Sequence, residues 1–209
     1  MQDLKQFPGL PGLQGPEGLQ VLQELQERQD LPGMQMECQL QGGGVPKRTE
    51  ITYLLAPNHF SESELALFKA SEDAYGEINI KVRQTKKNPD VIVHLSTDND
   101  IRKLYPELGK YPGLSLTDRG KSPMHIHLHL ENWLQIPKHL GSEFTKLKDY
   151  RIALISHEFA HVLGHDHVSC AAKGELADIR QQPSRSLGGC LPTTKIIFNS
   201  KSPKSNVNF

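Results

Sequence analysis

From Arg48 onward the chain alternates short runs of β-formers with one-sided helical stripes. Ile51 to Leu55 is rich in β-formers, stops at Ala56-Pro57 and reads as a strand. Ser61 stands as an N-cap with Glu64 three residues on, completing a capping box. Leu65, Phe68 and Ala74 then recur on one helical face until Gly76 stops the helix. Ile78 to Val82 alternates as a second strand, and the mostly apolar run Val91 to Leu95 reads as a more buried one. Within the loop-like stretch Lys110 to Pro123, Gly113 to Thr117 is a short strand. Met124 to Leu130 alternates cleanly, with His125, His127 and His129 on one face and Ile126, Leu128 and Leu130 on the other. Asp149 begins a helix that runs through Leu163 on a stripe of Ile152, Ile155, Phe159 and Val162, and Gly164 follows where a left-handed cap would sit. Beyond Gly174 the pattern is irregular. The order of strand, long helix, several strands, long helix and irregular end predicts an α+β fold.

The first 44 residues are a different material, holding 10 of the 14 Gln and 8 of the 17 Gly with almost no β-branched residues. Gly9, Gly12, Gly15 and Gly18 recur at every third position, with Pro11 and Pro16 between them, in the manner of collagen. Val21, Glu24, Glu27 and Asp30 then take the glycine positions before Gly33 returns in register. Four intact triplets are too few to hold a triple helix, so a flexible Gln/Gly-rich arm is expected, with a short helix at Leu19 to Gln29. Self-association through this arm is the other reading. Gly42, Gly43 and Gly44 close it as a linker. The expected organisation is an arm over 1–46, a folded domain over 47–199 and a loose tail over 200–209.

Charge removes several function classes. Twenty-four basic residues balance twenty-four acidic ones in 209, so no global electrostatic grip on nucleic acid or anionic membrane is expected. No apolar run approaches the roughly 18 residues of a membrane span. Met1 to Leu10 lacks the charged-then-apolar layout of a secretory signal, which leaves the compartment open. Three cysteines are too few for a disulfide scaffold, although Cys170 and Cys190 bracket the irregular segment and could tie it down in an oxidising compartment.

The chemistry concentrates in eleven residues. Four of the ten histidines fall between His157 and His167. His157-Glu158-Phe159-Ala160-His161 spans just over one helical turn, so both imidazoles project from one face and can grip one metal ion. Glu158 lies beside them, placed to reach a water at the metal without ligating it. The run continues to Gly164 and His167, giving H-E-x-x-H-x-x-G-x-x-H, which this composition would produce by chance in only about 1 in 10,000 chains. Gly164 gives the backbone freedom to turn back, and His167 or His165 then supplies a third ligand, with the spacing favouring His167. Three neutral imidazoles and an open fourth position describe a catalytic Zn2+ site rather than a closed structural one. Zinc in such a site lowers the pKa of water to about 7 and polarises a carbonyl, while Glu158 takes the water's proton and passes it to the leaving amine.

His157 to His167 resembles the zinc signature of the metzincin metallopeptidases, as in matrixins and astacins. The resemblance covers roughly residues 48–192, where strand, long helix, further strands and zinc helix follow that family's order. It implies a twisted, mostly parallel sheet with two long helices and a zinc cleft at the end of the second. It also implies a protein or peptide substrate lying antiparallel along an edge strand, for which Gly113 to Thr117 is the positional candidate. All four methionines lie upstream of the signature, so the family's methionine turn is replaced; Gly189-Cys190-Leu191-Pro192 resembles its surroundings, with Leu191 or Cys190 in the methionine's place. Some matrixins hold a second, structural zinc near a strand like Met124 to Leu130, which His94, Asp98 or Asp118 would complete here; the alternative is a polar strand face. Many matrixins plug the zinc with a cysteine in the position of Cys38, whose neighbours here do not reproduce that motif. The polar segment Asp178 to Pro183 is a candidate cleft wall. Two function classes stand at this point: a zinc-dependent endopeptidase, and a structural or assembly protein, virion- or surface-associated, whose zinc only stabilises the fold. Hydrolysis of a non-peptide amide by the same site is a third.

Overall fold

The computed structural model describes residues 48–106, 113–140, 143–183 and 186–205. The arm over 1–46, with its glycine triplets and Cys38, lies outside the described residues, as do 206–209 of the tail. The elements in chain order are β1 (Glu50–Leu55), α1 (Glu62–Gly76), β2 (Lys81–Gln84), β3 (Val91–Ser96), α2 (Asp98–Leu104), β4 (Leu116–Asp118), β5 (Met124–His129), α3 (Leu130–Leu134), a 3-10 turn (Lys138–Leu140) and α4 (Leu147–Val162). The strands form one sheet in the order β2-β1-β3-β5-β4. Every pair is parallel except β4–β5, which places β4 antiparallel at one edge. The fold is α+β, with a five-stranded, mostly parallel sheet.

Tyr53 of β1 fixes where the long helices go. Its ring stacks on Phe68 of α1 at 5.7 Å and meets Phe159 of α4 at 5.1 Å, so both helices cover the same sheet face. Ile51, Val91, Val93, Ile126 and Leu128 fill the core with it. The capping box forms as its spacing predicts, the Ser61 amide donating to Glu64 at 2.9 Å. Glu64 also accepts from the indole N–H of Trp133, which ties the start of α1 to α3.

Helix α4 is buried on every side from Ile152 to Ala160, which its apolar stripe alone does not require. The two helices meet where small residues allow it: Ser71 and Ser156 share a hydrogen bond at 2.7 Å, and the Tyr75 hydroxyl donates to the Ser156 carbonyl at 2.6 Å. All three hydroxyls are satisfied, so their burial costs little. Cys170 and Cys190 form a disulfide across the irregular segment. The stretch from Ser200, expected to be loose, is bonded as far as Ser205: Lys204 bridges to Val168, and the Ser205 amide donates to the His167 carbonyl at 3.1 Å.

The other sheet face carries histidine. In register, His94 lies beside His127 and Ile92 beside His125. His94 stacks on both imidazoles at 5.1 and 5.0 Å, His59 meets His94 edge-on, and Tyr105 meets His127 edge-on. Burial first, then the neighbouring imidazoles, pushes His94 down to about 2 and His127 down to about 3. The unfolded chain binds protons near the ordinary value of about 6.5, whereas the folded chain resists them. The penalty is therefore absent above that pH and grows as pH falls, by about 1.4 kcal/mol per pH unit for each such imidazole. Denaturant unfolding of metal-free protein should show a steep loss of stability from pH 7.5 to 5.0, and His127→Gln should flatten it. Identical pH dependence in the two proteins would contradict a neutral, buried His127.

Candidate metal centre

The end of α4 builds the site. Gly164, at φ +92°, takes the left-handed conformation that follows the helix. Its amide bonds the His161 carbonyl at 2.9 Å and the His165 amide bonds the Ala160 carbonyl at 3.0 Å, the paired closure of a Schellman motif. The chain then reverses, and the His165 carbonyl returns to accept from His161 Nδ1 at 2.8 Å. His167 is brought against the two helical histidines. The three Nε2 atoms stand 3.2, 3.1 and 3.1 Å from one another. His165 is not a member of the trio; its ring packs on Phe198 at 4.4 Å.

Whether these residues fit a metal is decided by their protons. His157 Nδ1 faces the Ile179 carbonyl at 2.8 Å, as His161 Nδ1 faces that of His165, and a carbonyl accepts only from an N–H. Burial drives His157 well below its ordinary pKa and His161 down to about 3, so both rings are neutral with Nε2 unprotonated. Two such lone pairs at 3.1 Å repel unless a cation lies between them. Three nitrogens at Zn–N distances in tetrahedral directions would stand about 3.3 Å apart, close to the spacing observed. The donor set, neutral imidazole oriented by backbone carbonyls, fits a metal such as zinc. His157 is buried while His161 and His167 are partly exposed, so the trio opens toward solvent.

Glu158, the residue after His157 in α4, is buried, its pKa pushed up to about 7 by desolvation, against which a hydrogen bond from Thr117 works. Thr117 Oγ1 donates to Glu158 Oε2 at 2.6 Å. The wall under His157 is a short turn. Asp178, wholly buried at its side chain, accepts from the Arg180 amide and guanidinium and from the Asn199 amide, and the Arg180 carbonyl accepts from Val168 next to His167. That turn presents the Ile179 carbonyl to one imidazole of the trio while binding the segment that carries another, and the disulfide closes the loop containing it. The expected cleft wall Asp178 to Pro183 is thus a support for His157. Leu191, a candidate replacement for the methionine turn, is half exposed, and Cys190 is engaged in the disulfide.

The β5 histidines do not join a second three-ligand group among the described residues, where the cluster whose ligand atoms lie within 4.8 Å is His157, His161 and His167. His94 Nε2 and His125 Nδ1 pair at 3.0 Å, and His127 Nδ1 bonds Ser96 at 2.9 Å. Asp98 faces His129 at 3.1 Å and accepts from the Gly113 amide, while Asp118 accepts from the Tyr105 hydroxyl. Thr117, Ile179 and Asp178 have no signature in the sequence, since each acts through a contact made from outside the helix.

The chain belongs to the family described as "Protein of unknown function (DUF3152)", whose profile matches residues 69–190, more than half of its length and the whole of the trio. No curated protein matches it.

If the trio is the metal site, His167→Ala should abolish stoichiometric metal binding and the thermal stabilisation that added zinc gives, whereas His165→Ala should retain both. Elemental analysis and melting curves measure the difference, and equal loss in the two variants would contradict the arrangement.

Proposed function

We propose that this protein is a zinc-dependent endopeptidase of metzincin type. The observation that carries the reading is the facing of His157 and His161 lone pairs with His167, together with a buried carboxylate, not part of the trio, on the residue that follows His157 in α4. A purely structural zinc site has no use for such a carboxylate. His157, His161 and His167 would hold the metal, with Glu158 as general base and then acid. Zinc supplies Lewis acidity at this point, easing ionisation of water and polarising the scissile carbonyl. Glu158 accepts the proton of the attacking water and hands it to the leaving amine. The substrate would pair along the edge strand β4, which also carries Thr117. The disulfide fits an oxidising compartment, hence a role outside the cytoplasm or on a particle surface. No helix among the described residues is long and apolar enough to cross a membrane.

Protein purified without added metal should contain one zinc per chain and cleave a quenched-peptide library in a chelator-sensitive way. Glu158→Gln should keep the zinc and lose about 10²- to 10⁴-fold in turnover. Zinc without any cleavage would favour the structural reading, and wild-type turnover in Glu158→Gln would exclude the mechanism.

A further inference from the structure

We infer that Thr117 is the positioning residue for Glu158, holding one carboxylate oxygen so that the other is presented to the reacting water. The inference rests on the peptidase reading above. A glutamate has three side-chain torsions, and burial beside the trio removes the water that would otherwise solvate either oxygen. Thr117 Oγ1 lies 2.6 Å from Glu158 Oε2 and 3.3 Å from the Glu158 carbonyl. A hydroxyl has one proton, and the shorter contact to a carboxylate takes it.

The hydroxyl is placed by the sheet rather than by the helix it touches. Thr117 pairs with Ile126, and its neighbours Leu116 and Asp118 pair with His127 and His125. A β-branched side chain on a strand has few choices at χ1. The following residues are anchored as well: Asp118 accepts from the Tyr105 hydroxyl at 2.7 Å, and Arg119 reaches Asp166, next to His167, at 3.1 Å. Three consecutive residues thus fix the edge strand to the base, to the far sheet face and to the ligand loop. With a donor on Oε2, proton exchange falls to Oε1: the proton leaves water for Oε1 and then leaves Oε1 for the amine.

The test compares Thr117→Val, which removes the hydroxyl at constant shape, with Thr117→Ser, which restores it. Thr117→Val should lower kcat about 10- to 100-fold with KM within two-fold, zinc content unchanged and melting temperature little altered, and Thr117→Ser should stay within about three-fold of wild type. Thr117→Val should also cost nothing further in a Glu158→Gln background. Independently of turnover, the Glu158 carboxyl carbon, assigned against Glu158→Gln in ¹³C-labelled metal-free protein at fixed pH, should move in Thr117→Val and stay in Thr117→Ser. Equal losses in the Ser and Val variants, loss of zinc with the loss of rate, or an unmoved carboxyl resonance in Thr117→Val would overturn the inference. If the wild-type protein cleaves no peptide, the peptidase reading fails, and the carboxyl resonance alone decides Thr117: a shift supports the contact and its absence overturns it.

Discussion

Two neutral imidazoles whose Nδ1 protons are committed to backbone carbonyls face each other through Nε2 at 3.1 Å, an arrangement that a cation between them would stabilise. Much of the fold serves this one arrangement. The helix that carries His157 and His161 is buried along its length, the Schellman turn at Gly164 brings His165 and His167 back over it, and the Asp178 turn supplies the carbonyl beneath His157. Two backbone carbonyls therefore choose the tautomers, and the tautomers choose the chemistry that the cluster can do.

The sheet stands between two buried polar regions of opposite character. On one side Tyr53 joins α1 and α4 into an apolar core from which Glu158 and the trio emerge. On the other, His94, His125 and His127 stack on one another as neutral rings, with His59 and Tyr105 meeting them edge-on. Both regions hold histidine below its ordinary pKa, yet only one converges ligand atoms. The difference lies in geometry: helical residues four apart and a returning chain aim nitrogens at one point, whereas alternate residues of a strand lie side by side. The edge strand β4 touches both regions, through Thr117 on one face and Asp118 on the other.

Strand and helix periods made much of the fold legible. The first strand, both long helices, the buried third strand and the histidine strand stand close to where the pattern puts them. The second strand is displaced to Lys81–Gln84, because the Ile78 and Ile80 amides both bond the Tyr75 carbonyl in the turn that ends α1. The short helices α2 and α3 were not legible: Thr97 caps the first through Asp100 and His129 caps the second, but neither segment has an apolar stripe long enough to register. Alternation in β5 promised one polar face, and both faces are buried, since what covers a strand is decided by segments far away in sequence.

The sequence by itself determined the spacing of the three histidines, the turn at Gly164 and the glutamate that follows His157, because each depends on helical pitch and on residues within eleven positions of one another. The spacing favoured His167 over His165 and the tertiary structure brings it into the trio; tertiary structure alone decided that Ile179 fixes the tautomer of His157 and that Thr117 meets Glu158 from 41 residues away. Those contacts are made by chain closure, through a parallel sheet, a buried Asp178 and the Cys170–Cys190 bridge, and closure over such distances leaves no period for a sequence to display.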